Sequence, residues 1–461
     1  MLPFLVLLET AAIFGSVYGA LSLRGGTLEQ ACILTLCHVT AMYYNDLYDF
    51  GVVRSFSGFM SHLPRAFAWG MILLAVSWGF LPDARIQADL LGLVAVLVLA
   101  VIVPSRAAGY AVLRCRSFRE RVLILGTGPM ARLISVEIQA CSHLRLEVIG
   151  FVGEPLDTSY ELGRPPCLGE VSEIERIILE HSPSRIIVAL PERRGEIPVL
   201  KFVEMRLNGI AIEDGQEFYE RVTGKVTLES LSPSSFVFGR RSGKTRLHLA
   251  IARATSLAVS ASGLALTGPL FPLIALAIRL DSPGPIFYVQ ERVGWRGRQY
   301  KMLKFRTMRS VETEASAWAG DNGYRITRVG AWLRKFRLDE LPQFVNILLG
   351  DMNLVGPRPH PCSNFRLFDA NIPQYELRLT VRPGVTGWAQ TRYVYANNLE
   401  QETEKVRYDL YYIKHMSAWL DLRILFDTIK VVLLGRRSDM TCLSPEAVGE
   451  DQTTTAHDTA A

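Results

Sequence analysis

The chain lacks the cysteine pattern of a metal centre or a disulfide frame. Its seven cysteines, at 32, 37, 115, 141, 167, 362 and 442, form no CxxC pair and no His/Cys cluster. That excludes a zinc ribbon or a stapled secreted fold and predicts free thiols in a reducing compartment or a bilayer. A basic segment ahead of the first apolar run is missing too, so the first span is expected to stay, with no cleaved signal peptide. Charge is scarce: 21% of 461 residues against 49% apolar, with a net +5 that is too mild to argue for nucleic acid. The low charge and positive mean hydropathy point to a membrane protein with a large polar portion, long enough for two or three domains.

What the chain does have, first, is four apolar runs, at 2–23, 28–45, 66–81 and 89–104. Each is near the roughly 20 residues that cross a hydrocarbon core, though the second and third are short or interrupted. Arg54 and Arg65 separate runs two and three, and Arg106, Arg114, Arg116, Arg119 and Arg121 follow run four. The bias places the N-terminus, the 46–65 loop and everything after 105 in the cytoplasm. Residues 1–104 are therefore expected to be a four-helix transmembrane region.

From 121 the pattern alternates. Strand-like runs at 121–126, 147–152, 185–190 and 210–212 are separated by helical stretches, which predicts a Rossmann-like parallel α/β domain over 105–238. Gly126 and Gly128 follow the first strand as in a dinucleotide turn, but no acidic residue closes the second strand. Three readings stand: NAD-type binding, another nucleotide or anion at the helix N-terminus, or a purely structural or oligomerising domain whose turn merely needs tight packing. An α/β domain near the membrane without a clear ligand also invites homodimerisation.

Residues 239–443 read as a third domain, α+β, with 444–461 as a disordered, polar tail. It opens with basic residues 240–246 and an apolar run at about 249–278 that contains Gly268, Pro269 and Pro272. Those residues break a helix. Both flanks are basic, so the run is expected to enter the membrane and return, although its length alone would also let it span. Trp419 to Leu434 has the spacing of a helix in the membrane interface or of an ordinary core-facing helix.

Three clusters in this domain suit phosphate chemistry. Lys304 and Arg306 lie on an alternating basic and apolar strand. Asp339 and Glu340 sit between a basic run ending at Arg337 and a Pro/Gly loop carrying Arg358. Arg382 opens a turn rich in donors. Two adjacent acids can share one metal, or can simply favour the start of a helix, with Pro342 in its first turn.

The motifs KMLKFRTM (301–308), RLDELPQFVNILLGDMNLVGPRP (337–359) and RPGVTGWAQ (382–390), in that order after an apolar helix ending in DSPGPIF, resemble those of the bacterial sugar transferases of the monotopic phosphoglycosyl transferase superfamily. The four spans and the inserted α/β domain are similar to the large subclass, the exopolysaccharide polyprenyl glycosylphosphotransferases. YYNDLYD (43–49) and the tail resemble the exosortase-associated branch.

The resemblance implies transfer of a sugar 1-phosphate from a UDP-sugar to undecaprenyl phosphate at the cytoplasmic face of the bacterial inner membrane, with release of UMP. Asp339 is implied as nucleophile and Glu340 as a Mg²⁺ ligand beside it, with Arg358, Arg337, Arg382, Lys304 and Arg306 binding phosphate. The sugar is expected to be a hexose such as glucose, or else an N-acetylated sugar. A membrane-anchored nucleotide-sensing scaffold with an inactive transferase domain is the alternative from another class. One departure is visible: where the family breaks its helix at Ser-Pro, this chain has Gly268-Pro269, so Thr267 is expected to take over the serine's hydrogen bond.

Overall fold

The computed structural model describes residues 2–48, 53, 55–86, 88–114, 119–141, 144–154, 165–190, 199–228, 246–309, 324–393 and 396–434. The expected tail at 444–461 and the basic residues 240, 241 and 244 lie outside them. The chain divides into two compact units between Gly215 and Gln216.

The first unit begins with α1 (Leu2–Ser22), α2 (Leu28–Tyr44), α3 (Phe56–Phe80) and α4 (Ala88–Arg114). A capping box, Thr27 with Gln30, starts α2, and the Ser55 side chain caps α3. Helices α3 and α4 have the length and hydropathy to cross a membrane; α1 contributes a shorter apolar stretch, Val6–Ser22, and α2 has 17 residues. Arg106 does not follow the fourth run as expected. It lies inside α4, fully buried, and pairs at 2.8 Å with the buried Glu9 of α1. The counter-charge on the neighbouring helix is what turns it inward. Its guanidinium also lies over the rings of Tyr48 and Phe59.

The same unit holds five short parallel strands, β1 (Glu120–Leu125), β2 (Leu146–Val152), β3 (Cys167–Gly169), β4 (Arg185–Val188) and β5 (Ala211–Asp214), in the order β3-β2-β1-β4-β5. Helices α5 (Pro129–Ala140), α6 (Ile174–His181) and α7 (Val199–Leu207) connect them. Parallel strands need such crossovers, and the strand order reverses about β1. Cys32, Cys37, Cys167 and Cys362 are free, but Cys141 is disulfide-bonded, against the expectation of seven free thiols. Disulfide pairing follows distance in the fold, which sequence spacing did not display.

The second unit starts with α8 (Gly215–Thr223) and then the broken membrane helix: α9 (Arg246–Thr267), a 3-10 turn (Gly268–Leu270) and α10 (Phe271–Asp281). Pro269 and Pro272 supply no N–H, so the α ladder cannot run through the turn. Thr267 Oγ1 donates to Gly263 O at 2.6 Å, one turn back in α9, and not to a carbonyl that either proline frees.

Both arms pack on one body. Arg253 of α9 donates to Ile347 O and Met352 O, and the Gly263 Cα lies close against the Phe344 ring. On α10, Phe271 meets Phe305 edge-on, and Asp281 accepts from the Val329 N–H. Leu266, Leu270, Leu273, Leu276 and Leu280 remain exposed.

The rest is a hairpin, β6 (Phe287–Val293) with β7 (Gln299–Phe305), then α11 (Arg328–Lys335), α12 (Gln343–Leu349), β8 (Asn353–Val355), α13 (Cys362–Asn371), β9 (Gly384–Thr386), α14 (Trp388–Arg392), α15 (Leu399–His415) and α16 (Ala418–Leu434). Their aromatic core gathers Phe368, Tyr375, Trp388, Tyr408 and Tyr412. Helix α16 has the core-facing side that was one of its two readings. Leu420 and Ile424 face that core, while Trp419, Leu422, Phe426 and Ile429 point outward, exposed.

Strands β8 and β9 pair in parallel through Asn353–Gly384 and Val355–Thr386, which locks the Gly356–Pro359 loop to the Arg382–Gln390 loop. A Cβ on Gly384 would stand 2.1 Å from Gly356 N and 2.5 Å from Thr386 O. Gly384→Ala must therefore separate the two loops. We expect thermal unfolding in detergent to fall by an amount equivalent to about 1–3 kcal/mol; an unchanged Tm would mean the loops move apart freely.

Candidate active site

The acidic pair does not open a helix, as its position before Pro342 suggested. Asp339 and Glu340 occupy a separate 3-10 turn, Leu338–Glu340, and α12 begins only at Gln343. Arg337 enters the turn in the left-handed region, φ 56°. That conformation is costly for a non-glycine residue. It reverses the chain after α11 so that both carboxylates point inward. Both residues are under 9% exposed.

The two acids have different surroundings. Glu340 Oε1 accepts from Arg358 Nη2 at 2.9 Å and lies 3.3 Å from Lys304 Nζ and 3.8 Å from Arg337 Nη1. Burial opposes its charge, yet Arg358, Lys304 and Arg337 outweigh that and hold the carboxyl well below its usual range. Asp339 Oδ1 is sealed from solvent and has no hydrogen-bond partner. Burial, and then repulsion from Glu340, push Asp339 upward. Lys304, buried beside them, is pulled down to about 8 in spite of Glu340.

Among the described residues no group of three or more His, Cys, Asp or Glu could enclose a metal. Two carboxylates are nonetheless what Mg²⁺ requires when substrate phosphates and water complete its shell. The unpartnered Asp339 Oδ1 is the atom that fits such an ion best, since Glu340 already spends Oε1 on three cations.

Of the expected phosphate ligands, the fold brings Arg358, Lys304 and Arg337 to the acidic pair. Arg306 goes elsewhere: it donates to Ser282 O and Pro283 O and fastens the exit of α10. Arg382 donates to Gly350 O and stacks on Trp295 at 4.6 Å. Gly126 and Gly128 belong to the other unit. The Gly126 N–H is used by Val152 O, and a Cβ there would strike Ala189 O at 2.6 Å, so packing accounts for this glycine. Gly128 precedes Pro129 at the start of α5.

No motif in the chain pointed to the layer behind Arg358. Arg378 donates to Arg358 O at 2.8 Å and to the Tyr375 hydroxyl, and pairs with the buried Asp409 at 2.7 Å. His360 touches Tyr375, Arg378 and Glu402; burial and the nearby Arg378 keep it neutral. These residues are scattered over 360–409, and only folding collects them. Arg292 also lies beside Arg358, burial and that neighbour drawing it down to about 10.

A family model described as bacterial sugar transferase matches residues 247–435, the segment that carries every residue of this site. A UDP-glucose:undecaprenyl-phosphate glucose-1-phosphate transferase of Xanthomonas campestris pv. campestris is 32% identical over 330 residues, 69% of this chain and 67% of that one. The chain belongs to the bacterial sugar transferases. It is an enzyme of the phosphoglycosyl transferase type. A UDP-N-acetylgalactosamine-undecaprenyl-phosphate N-acetylgalactosaminephosphotransferase of Aeromonas hydrophila is 39% identical over 221 residues, 48% of this chain and 52% of that one. An undecaprenyl-phosphate glucose phosphotransferase of Komagataeibacter xylinus is 29% identical over 381 residues, 80% of this chain and 69% of that one. The transferase thus spans about half the length of the Aeromonas relative and about two thirds of the other two.

The buried Arg378–Asp409 pair gives a direct check on how the sugar transferase holds Arg358. Arg378→Met leaves Asp409 buried without a counter-ion and should cost about 3–5 kcal/mol, read by thermal unfolding. Adding Asp409→Leu should recover most of it. A single variant as stable as the wild type would remove Arg378 from this role.

Proposed function

We propose that this transferase moves a sugar 1-phosphate from a UDP-sugar to undecaprenyl phosphate, as the first step in assembling an exopolysaccharide repeat unit. The observation that carries the mechanism is the contrast within the acidic pair. Glu340 is committed to three cations, while Asp339 presents a buried, unpartnered oxygen.

In the first step an Asp339 carboxylate oxygen forms a bond to the phosphorus bearing the sugar. The bond from that phosphorus to the bridging oxygen breaks, and UMP departs with the electron pair. In the second step an oxygen of the lipid phosphate attacks the same phosphorus and expels Asp339. A covalent intermediate lets a water-soluble donor and a lipid acceptor use one site in turn. Arg358, Lys304 and Arg337 supply fixed positive charge to the phosphoryl oxygens. Bound Mg²⁺, held by Asp339 with Glu340 next to it, would offset repulsion between the carboxylate and the diphosphate.

The membrane arrangement supports the same reading. Both arms of the helix 246–281 pack on one catalytic body, and its outer leucines are exposed. A straight spanning helix would carry Asp281 to the far face, about 1.5 Å per residue away from Arg253. Re-entry keeps both ends at the cytoplasmic face of the inner membrane, with α1–α4 as four spans that anchor the chain. Trp332 and Phe336 of the α11 region, and Trp419 and Phe426 of α16, are exposed aromatic groups suited to that interface.

We take the sugar to be a hexose, glucose, as in the names of the Xanthomonas and Komagataeibacter relatives. An N-acetylated sugar is the second reading, favoured by the name of the Aeromonas relative.

With UDP-sugars, undecaprenyl phosphate and Mg²⁺, the purified protein should release UMP, fastest from UDP-glucose. No UMP from any donor would sink the proposal. Asp339→Asn should lower the rate at least about a thousandfold; full activity in that variant would refute the covalent route. For the helix, Arg246→Cys and Arg298→Cys, each made without the native cysteines, should be labelled from the same side of the membrane. Labelling from opposite sides would refute re-entry.

A further inference from the structure

The site continues past Arg358 along the hairpin, and this extension has no part in holding the acidic pair. Antiparallel register sets Arg292 directly opposite Tyr300, and Tyr288 opposite Lys304. Side chains at every second strand position share a face, so Tyr300, Met302 and Lys304 point the same way as Arg292. Lys304 and Tyr300 are therefore about 13 Å apart along β7. Arg358 acts on both ends of this track: its charge opposes that of Lys304 and of Arg292.

At the far end two donors are left over. Arg292 gives Nη1 to Pro359 O at 2.8 Å and Nη2 to Gln290 Oε1 at 2.5 Å, but Nε is sealed and has no hydrogen-bond partner. The Tyr300 hydroxyl is sealed and unpartnered as well. Among the described residues Arg292 has no carboxylate partner. A buried guanidinium beside a second one, with donors unmade, is costly in the absence of an anion.

We propose that Arg292 and Tyr300 form an anion subsite that holds the phosphate of the departing nucleoside monophosphate, which rests on the transfer reaction proposed above. The shared chemistry is a phosphate monoester, and two substrates could supply it, the nucleotide and the lipid phosphate.

The layout favours the nucleotide. The Lys304 end of the track adjoins the membrane helix through Phe305 and Phe271. The Arg292 end adjoins the hairpin turn. The guanidiniums of Arg296 and Arg382 each lie over the Trp295 ring, at 4.5 and 4.6 Å, and a small cleft next along the chain is lined by Val293, Gly294, Arg358, Val381 and Pro383. A flat polar ring suits that end, and a long prenyl chain suits the other.

The chemistry agrees. Within the diphosphate the nucleoside-side phosphate carries one negative charge. When the bridging bond breaks it keeps the electron pair and becomes a dianion. Donors fixed at that phosphate bind the leaving group more strongly than the ground state, which is where binding accelerates a reaction.

The test uses the full-length protein with UMP itself as probe. Equilibrium binding of UMP should weaken about tenfold or more in Arg292→Gln and in Tyr300→Phe, as expected for a lost hydrogen bond to a charged group. Arg292→Lys should recover part of the loss, and the KM for undecaprenyl phosphate should stay within about twofold. Tyr300→Phe keeps the ring that packs on Gly294, so its Tm should not change, which separates a binding defect from misfolding. Unaltered UMP affinity in both variants would overturn the subsite. So would a raised KM for the lipid phosphate with UMP binding intact. UMP bound by the wild type and lost from both variants, without turnover on any donor, would uphold the subsite and remove the transfer reaction.

Discussion

Unbalanced positive charge held out of water organises the catalytic unit. Lys304, Arg337 and Arg358 surround two carboxylates, one of which serves all three, and Arg292 lies beside Arg358. Cations packed this densely repel one another, and Lys304, the most enclosed of the three on Glu340, has little of the screening that solvent would give. Such an arrangement persists only if the surrounding fold imposes it. Here the imposed parts are the left-handed Arg337, the backbone contact between Gly356 and Gly384, and the Arg378–Asp409 pair behind Arg358.

The position of this charge relative to the lipid follows from the broken helix. Two prolines and a glycine interrupt it, and Thr267 occupies the carbonyl of Gly263 at the end of the first arm. The second arm then returns to the same body through Phe271, Ile278 and Asp281. Phe305 completes that contact, and it is the next residue after Lys304. One strand thus ties the membrane element to the acidic pair at one end and reaches the Trp295 turn at the other. About four strand residues separate those two ends.

Much of this was legible in the chain. Hydropathy located the apolar helices, strand and helix alternation located the parallel sheet, and the order of three motifs pointed to the candidate site at 301–390. Gly268, Pro269 and Pro272 were readable as a break because proline removes a donor wherever it stands. Asp339, Glu340, Arg358, Lys304 and Arg337 were named from sequence and are together in the fold. Arg306 was named on the same strand motif and faces Ser282 and Pro283. Its motif could not say which way the chain turns after Phe305, and the turn decides where the guanidinium goes.

What the sequence by itself determined was the kind of chemistry and its address: ionisable residue types, their local spacing, and apolar runs of membrane length. These are local properties, carried by neighbours in the chain. Only the tertiary structure decided which acid is engaged and which keeps an unpartnered oxygen, since that depends on Lys304, Arg337 and Arg358 converging on Glu340 from three elements. It also decided that Arg106 is a buried partner of Glu9, and that His360, Tyr375, Arg378 and Asp409 form one support. The distances that set charge, burial and hydrogen bonding join residues far apart in the chain, and no spacing in the sequence records them.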